Sequence, residues 1–251
     1  MPQYLLARHA HLCLTEEYAV VLDLRTDRYL ALSAPQLRAL ARRVAGWPAC
    51  EPRAALPTVD AHEKSEPSTI LDTLVQSGIL TTDGSLGRPA TPVDVCPPVA
   101  TLIDATSVRT LLGEESTDRA RLGVREVVSL ACACATAAAM LRWSSIERVA
   151  DRVRVRKLRR AESDPVADLD KARDLVRAFR LLRPFFLAAR QRCLLQSLAL
   201  IEFMACYGIF PTWVFGVKSG PFAAHCWVQE QAVLFNDRPE RVQHYTPIMA
   251  I

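Results

Sequence analysis

The sequence predicts an α+β protein built from two domains, and three observations carry that prediction. Short apolar runs with strand character open the chain. A proline- and glycine-rich stretch interrupts it before residue 100, and long helical patterns then give way to strands again at residue 211. On these grounds an N-terminal domain is expected over residues 1–82, a linker over 83–100 and a C-terminal domain over 101–251.

Each element follows from local pattern. Residues 4–8 and 11–15 read as short strands, and 19–24 and 28–32 flank Arg25-Thr26-Asp27 as the arms of a hairpin. Within 19–24, Val20, Leu22 and Leu24 share one face, which assigns them to the core, with Val21 and Asp23 on the second side. Ser33 is a good N-cap. Gln36, three residues on, completes a capping box ahead of Leu37, Leu40, Ala41 and Val44 at helical spacing. Pro48, Pro52, Pro57 and Pro67 make 47–67 a loop with at most one short helix. Ser65-Glu66-Pro67 then opens a helix through Ile70, Leu71, Leu74 and Val75. Gly78 is placed to close it in a left-handed cap, with Ile79 and Leu80 folding back. Gly84, Gly87, Pro89, Pro92, Pro97 and Pro98 give 83–98 its linker character. Beyond it, 103–113, 119–141, 165–190 and 191–207 read as helices, and 212–217, 224–230 and 232–236 as strands.

Composition bounds the function. Half of the 251 residues are apolar and 23% are charged, a globular balance, and the net charge of +4 selects no class of partner. The N-terminus lacks the basic start and long apolar run of a secretory signal. The apolar stretch 127–141 falls short of a roughly 20-residue span and reads as a buried helix. Eight cysteines are scattered, several within apolar runs (Cys132, Cys134, Cys206), which fits thiols packed as small hydrophobes in a reducing cytoplasm. Arg148, Arg152, Arg154, Arg156, Lys157, Arg159 and Arg160 fall within thirteen residues. That run reads first as a solvated face and second as a docking surface for an acidic partner. Nucleic acid comes third, because no aromatic residues interleave with the run, and neither nucleic acid nor a membrane is expected as a partner.

One constellation carries chemistry. Cys193 opens the helix Cys193-Leu194-Leu195-Gln196-Ser197-Leu198, where unpaired N–H groups and the positive end of the dipole favour thiolate. A cysteine there is, taken alone, more often structural. Pro221-Phe222-Ala223-Ala224-His225-Cys226-Trp227-Val228 then puts a histidine on a strand, and Asn236-Asp237 ends the next one, so pairing across the hairpin brings Asp237 to the imidazole. The order Cys…His…Asp, nucleophile on a helix and its partners on a following sheet, is that of papain-like enzymes. Cys226 should point to the face opposite His225. Cys132 and Cys134 make a poor metal pair, and His9 and His11 a weak zinc signal, so neither a metal nor a cofactor is expected.

The motif Cys193-Leu-Leu-Gln-Ser-Leu-Ala-Leu, then Phe215-Gly216-Val217, the His225-x-Trp227-Val228 strand and Asn236-Asp237 resemble the lasso-peptide leader peptidases. These are transglutaminase-like B proteins of ribosomal peptide biosynthesis. The match covers roughly residues 185–251, and Cys226 departs from it where the family usually has alanine. Residues 1–82 similarly resemble the winged-helix-like peptide-recognition domain of such pathways, akin to the chaperone of pyrroloquinoline quinone biosynthesis. The resemblance implies a fused protein. Its first domain binds the leader of a precursor peptide as an added strand, at the edge 19–24 or 28–32, through Val20, Leu22, Leu24, Tyr29 and Leu30, against a wall of Ile70, Leu71, Leu74 and Val75. Its second domain is a papain/transglutaminase-like cysteine peptidase that cuts leader from core, with Cys193 as nucleophile, His225 as base and Asp237 as orienter. Gln191 is a candidate second oxyanion donor beside the Cys193 N–H. It also implies a threonine at the penultimate leader position and an ATP-using, asparagine-synthetase-like lasso cyclase as partner. Two rivals stay open: a transglutaminase-type acyltransferase, and a winged-helix DNA-binding regulator with a degenerate triad.

Overall fold

The computed structural model describes residues 4–16, 18–48, 67–102, 123–159, 169–187 and 193–251, with the side chains of 67–69 and 169 left aside. Gln191 and the expected helix 103–113 lie outside the described residues. Contacts divide the chain into two compact units. One comprises Met1–Asp94 with Gly216–Ala224 and Thr246–Met249; the other comprises Val95–Phe215, His225–Tyr245 and Ala250–Ile251.

The first unit begins with β1 (Leu5–Ala7), β2 (Ala10–Leu14), β3 (Ala19–Asp23) and β4 (Arg28–Leu32). The last three form an antiparallel meander in the order β2-β3-β4, with His11 opposite Leu22 and Leu22 opposite Tyr29. Asp23 organises the hairpin turn, accepting from the Arg25 N–H and the Thr26 hydroxyl, while Asp27 takes a positive φ of 53°. Helix α1 (Ala34–Ala41) starts as its cap predicts, the Gln36 carbonyl accepting the Ser33 N–H at 2.9 Å. Helix α2 (Pro67–Gln76) ends in a Schellman motif: Gly78 N–H bonds Val75 O, Ile79 N–H bonds Leu74 O, and Gly78 sits at φ +74°.

Leu6, Leu12, Val21, Leu32, Leu37, Leu40, Leu71, Leu74 and Leu80 meet in one core cluster. The helix-facing side of β3 is therefore the one bearing Ala19 and Val21. Val20 and Leu22, which alternation assigns to that core, lie on the other face. Both faces of β3 are buried, so alternation alone does not distinguish them.

Part of the expected linker is sheet. Strand β5 (Leu80–Thr81) and strand β6 (Gly87–Arg88) flank β1 in a second antiparallel sheet. Gly87 is there for space. A Cβ at that position would lie 2.5 Å from Leu5 Cβ and 2.9 Å from Thr81 Cγ2.

The second unit contains β7 (Ala100–Thr101) and the helices α3 (Val124–Trp143), α4 (Ile146–Leu158), α5 (Leu169–Phe186) and α6 (Cys193–Ala205). Strands β8 (Thr212–Lys218), β9 (Ala223–Glu230), β10 (Val233–Leu234) and β11 (Thr246–Ala250), with the short helix α7 (Pro239–Val242), complete the chain. The sheet order is β11-β8-β9-β10-β7, with β7 parallel to β10 and β10 antiparallel to β9. Helix α6 is the buried axis of this unit, every residue from Ser197 to Met204 being covered. Its one charge, Glu202, is met by both guanidinium nitrogens of Arg156, at 2.8 and 2.5 Å. Arg156 and Lys157, which donates to Thr212 Oγ1, are thus turned inward; Arg152 and Arg159 of the same basic run are exposed on α4.

Helix α3 departs from the expectation of a buried helix. Leu130, Ala133, Cys134, Ala137 and Met140 are buried, while Val124, Val128 and Trp143 stand exposed. It is the one helix among the described residues that is long and apolar enough to cross a membrane.

Candidate functional site

Three elements of the second unit bring the predicted chemical groups together. Helix α6 begins at Cys193, strand β9 carries His225, and the turn after β10 carries Asp237. The β10 ladder stops at Leu234, shorter than the sequence suggests, because side chain replaces backbone in the pairing. Phe235 N–H still reaches Val228 O, but the Val228 N–H is taken by Asn236 Oδ1 at 2.8 Å. The main chain is thereby freed to turn, and Asp237 Oδ2 binds His225 Nε2. Asp237 Oδ1 in turn accepts the Arg238 N–H at 2.9 Å, and Arg241 lies 3.9 Å from Oδ2. With Nε2 engaged, Nδ1 is the ring nitrogen left for Cys193, whose thiol is hydrogen-bonded to the imidazole.

The imidazole is walled in. Trp227 stacks beside it with ring centroids 6.1 Å apart, and Tyr245 tilts against it at 5.2 Å. Trp227 is itself held by its indole N–H to Gln229 Oε1 at 2.6 Å. The Gln229 amide then donates to the carbonyls of Cys96 and Gln231. His225 is 6% exposed as a result.

Electrostatics follow from this packing. The Cys193 thiol is pushed down to about 4. A hydrogen bond from Cys226 is the largest cause, acting against burial and joined by His225. Burial alone would lower the His225 pKa, yet the Asp237 carboxylate and the Cys193 sulfur raise it above its ordinary value. Asp237 is held low: burial opposes ionisation, but His225, the Arg238 N–H and Arg241 outweigh it. Two other thiols mark the contrast, since burial pushes Cys13 up to about 12 and Cys134 up to about 11. Such an arrangement is a thiolate–imidazolium pair with an orienting carboxylate, at a helix N-terminus, and it is suited to nucleophilic attack on a carbonyl.

Residues 128–250 match the family model of the transglutaminase-like superfamily. This region is a transglutaminase-like domain. No curated protein and no solved structure matches the chain significantly. The superfamily includes cysteine peptidases and acyltransferases, and the transglutaminase-like domain here holds all three groups, Cys193, His225 and Asp237. Among the described residues no three His, Cys, Asp or Glu side chains converge as metal ligands, and the seven described cysteines are free.

Sequence reasoning misses four contributors to the transglutaminase-like site: Cys226, Ser197, Asn236 and Gln229. Cys226 is hidden by its alternation away from His225. That side of β9 is turned to α6, as the 3.1 Å contact between Cys226 Sγ and Ser197 Oγ shows. The one signal in the sequence is the spacing of Cys193 and Ser197, which puts both on one face of the helix.

The residues expected to bind peptide lie in the first unit and are not equally available. Val20, Leu22 and Leu24 are buried, and β3 is paired on both sides, so it offers no edge. Leu71 and Leu74 belong to the core cluster, with Ile70 half-buried against it. Strand β4 does form an edge, where Leu30 is 36% exposed and Tyr29 half-buried, its ring 5.5 Å from that of Phe222.

Proposed function

We propose that this protein is a cysteine peptidase that releases the leader of a lasso-peptide precursor, with a leader-recognition domain fused ahead of the peptidase. The single observation that carries the reading is the assembled Cys193–His225–Asp237 set in a transglutaminase-like domain. The Cys193 thiolate attacks the carbonyl at the leader–core junction, and the oxyanion is met by the Cys193 N–H at the start of α6. Protonated His225 then donates to the leaving amine, forming an acyl-enzyme that water hydrolyses. The amine freed on the core is the nucleophile that an asparagine-synthetase-like lasso cyclase needs for macrolactam formation.

Leader capture is assigned to the winged-helix-like first unit. The β4 edge, with Tyr29 and Leu30, suits strand addition, with Ile70 of α2 as the half-buried member of the expected wall. Tethering raises the local concentration of the scissile bond, so the site itself needs few substrate contacts beyond a threonine at the penultimate leader position. We expect the reaction in a reducing cytoplasm, where Cys193 stays reduced.

The test is cleavage of a candidate precursor by the purified full chain, followed by mass spectrometry. Wild type should release leader and core, and Cys193→Ala should release neither; equal cleavage by both ends the peptidase reading. A second reading, acyl transfer to an amine, draws on the same superfamily match. Incorporation of an added amine faster than hydrolysis would favour it.

A further inference from the structure

The Cys226 thiol is the polar group of the site that the proposed mechanism leaves unused. It is 2% exposed and lies 3.1 Å from Ser197 Oγ. Ser197 has a single hydroxyl proton and delivers it to the Cys193 carbonyl, one helical turn back, over 2.6 Å. Towards Cys226 the serine oxygen is therefore an acceptor. The Cys193 sulfur is within hydrogen-bonding reach of the same thiol. One S–H proton thus faces two acceptors, Ser197 Oγ and Cys193 Sγ. A neutral Cys193 thiol competes weakly for it, whereas an anionic one attracts it strongly.

We propose that Cys226 is a positioning residue for the nucleophile: its S–H turns from Ser197 Oγ to Cys193 Sγ when the thiolate forms, and holds that anion at the first turn of α6. The inference rests on Cys193 being the nucleophile. Burial and the neighbouring sulfur keep Cys226 itself protonated, hence a donor, its pKa raised well above the ordinary thiol value. A bond that stabilises the thiolate also makes it a weaker nucleophile. Cys226 therefore enlarges the thiolate fraction at low pH and lowers the intrinsic reactivity of each thiolate.

Alkylation of Cys193 by iodoacetamide, followed by peptide mass spectrometry as a function of pH, tests this without any peptide substrate. Failure of precursor cleavage would sink the peptidase reading and leave this readout intact. In Cys226→Ala the midpoint of Cys193 alkylation should rise by about one pH unit, and the plateau rate by about threefold. Cys226→Ser supplies a hydroxyl donor in the same place and should keep the midpoint within about half a unit of wild type. A loss of packing alone would not raise the plateau rate. An unchanged midpoint in Cys226→Ala, or an equal shift in Cys226→Ser, overturns the proposal. Should the alanine variant not fold, the wild-type protein decides through its infrared S–H stretch. Blocking Cys193 near pH 6 must move the Cys226 band to higher frequency, and an unmoved band overturns the proposal.

Discussion

Cys193 and His225 titrate against each other, the thiolate favouring the imidazolium and the imidazolium the thiolate. The active ion pair therefore spans the window from the lowered Cys193 value, about 4, to the raised His225 value above the ordinary 6.5. Below the window the thiolate is protonated; above it the imidazolium that protonates the leaving amine is lost. A plot of kcat/KM between about pH 3.5 and 9 should show that plateau with a fall on each side. Asp237→Ala removes the carboxylate that favours imidazolium, so its alkaline limb should move to lower pH while its acid limb stays nearer its place. An alkaline limb that moves up would contradict the assigned role of Asp237. At this scale the neighbours matter as much as the named groups. Asn236 spends its side chain on the Val228 N–H, and the next residue, Asp237, turns to His225.

Among the elements, α6 carries the proposed nucleophile and is buried from Ser197 to Met204, so whatever steadies it steadies the site. Its Glu202 is 7% exposed and paired with Arg156 of α4. Removing either partner strands a charge in a poorly hydrated place. Glu202→Ala should destabilise the protein by about 3 kcal/mol in urea unfolding, with Arg156→Ala costing a similar amount. A double variant less destabilised than the sum of the two would confirm that they act as one pair. The helix ends are legible in the sequence, since Ser33 with Gln36 and Gly78 with Ile79 are local signals that satisfy local backbone groups. Strand β6 is not legible there. Its glycine and its neighbouring proline look like a linker, and only the approach of Leu5 shows why residue 87 has no side chain.

Over the whole molecule, of the two strands expected to receive an extended peptide, β3 and β4, β4 is the one at a sheet edge, because β3 is enclosed on both sides. If leader recognition is strand addition, Leu30→Asp should weaken binding of a labelled leader peptide to the full chain about tenfold, roughly 1.4 kcal/mol, as read by fluorescence anisotropy. Unchanged affinity would remove β4 from the recognition surface. Val20 or Leu22 would be poor probes, since both are buried and their replacement leaves a cavity that confounds binding with folding.

Much of this protein is determined by its sequence alone. The mixture of helix and sheet, the capped helices and the choice of Cys193, His225 and Asp237 as the candidate set follow from local periodicity, caps and residue order, which are read along the chain. Which face of β3 meets the helices, where the linker becomes sheet, and how Cys226 comes to touch Cys193 are decided only by the tertiary structure. These depend on packing between segments far apart in the chain, and alternation on a strand buried on both sides carries no label for which partner lies on which side.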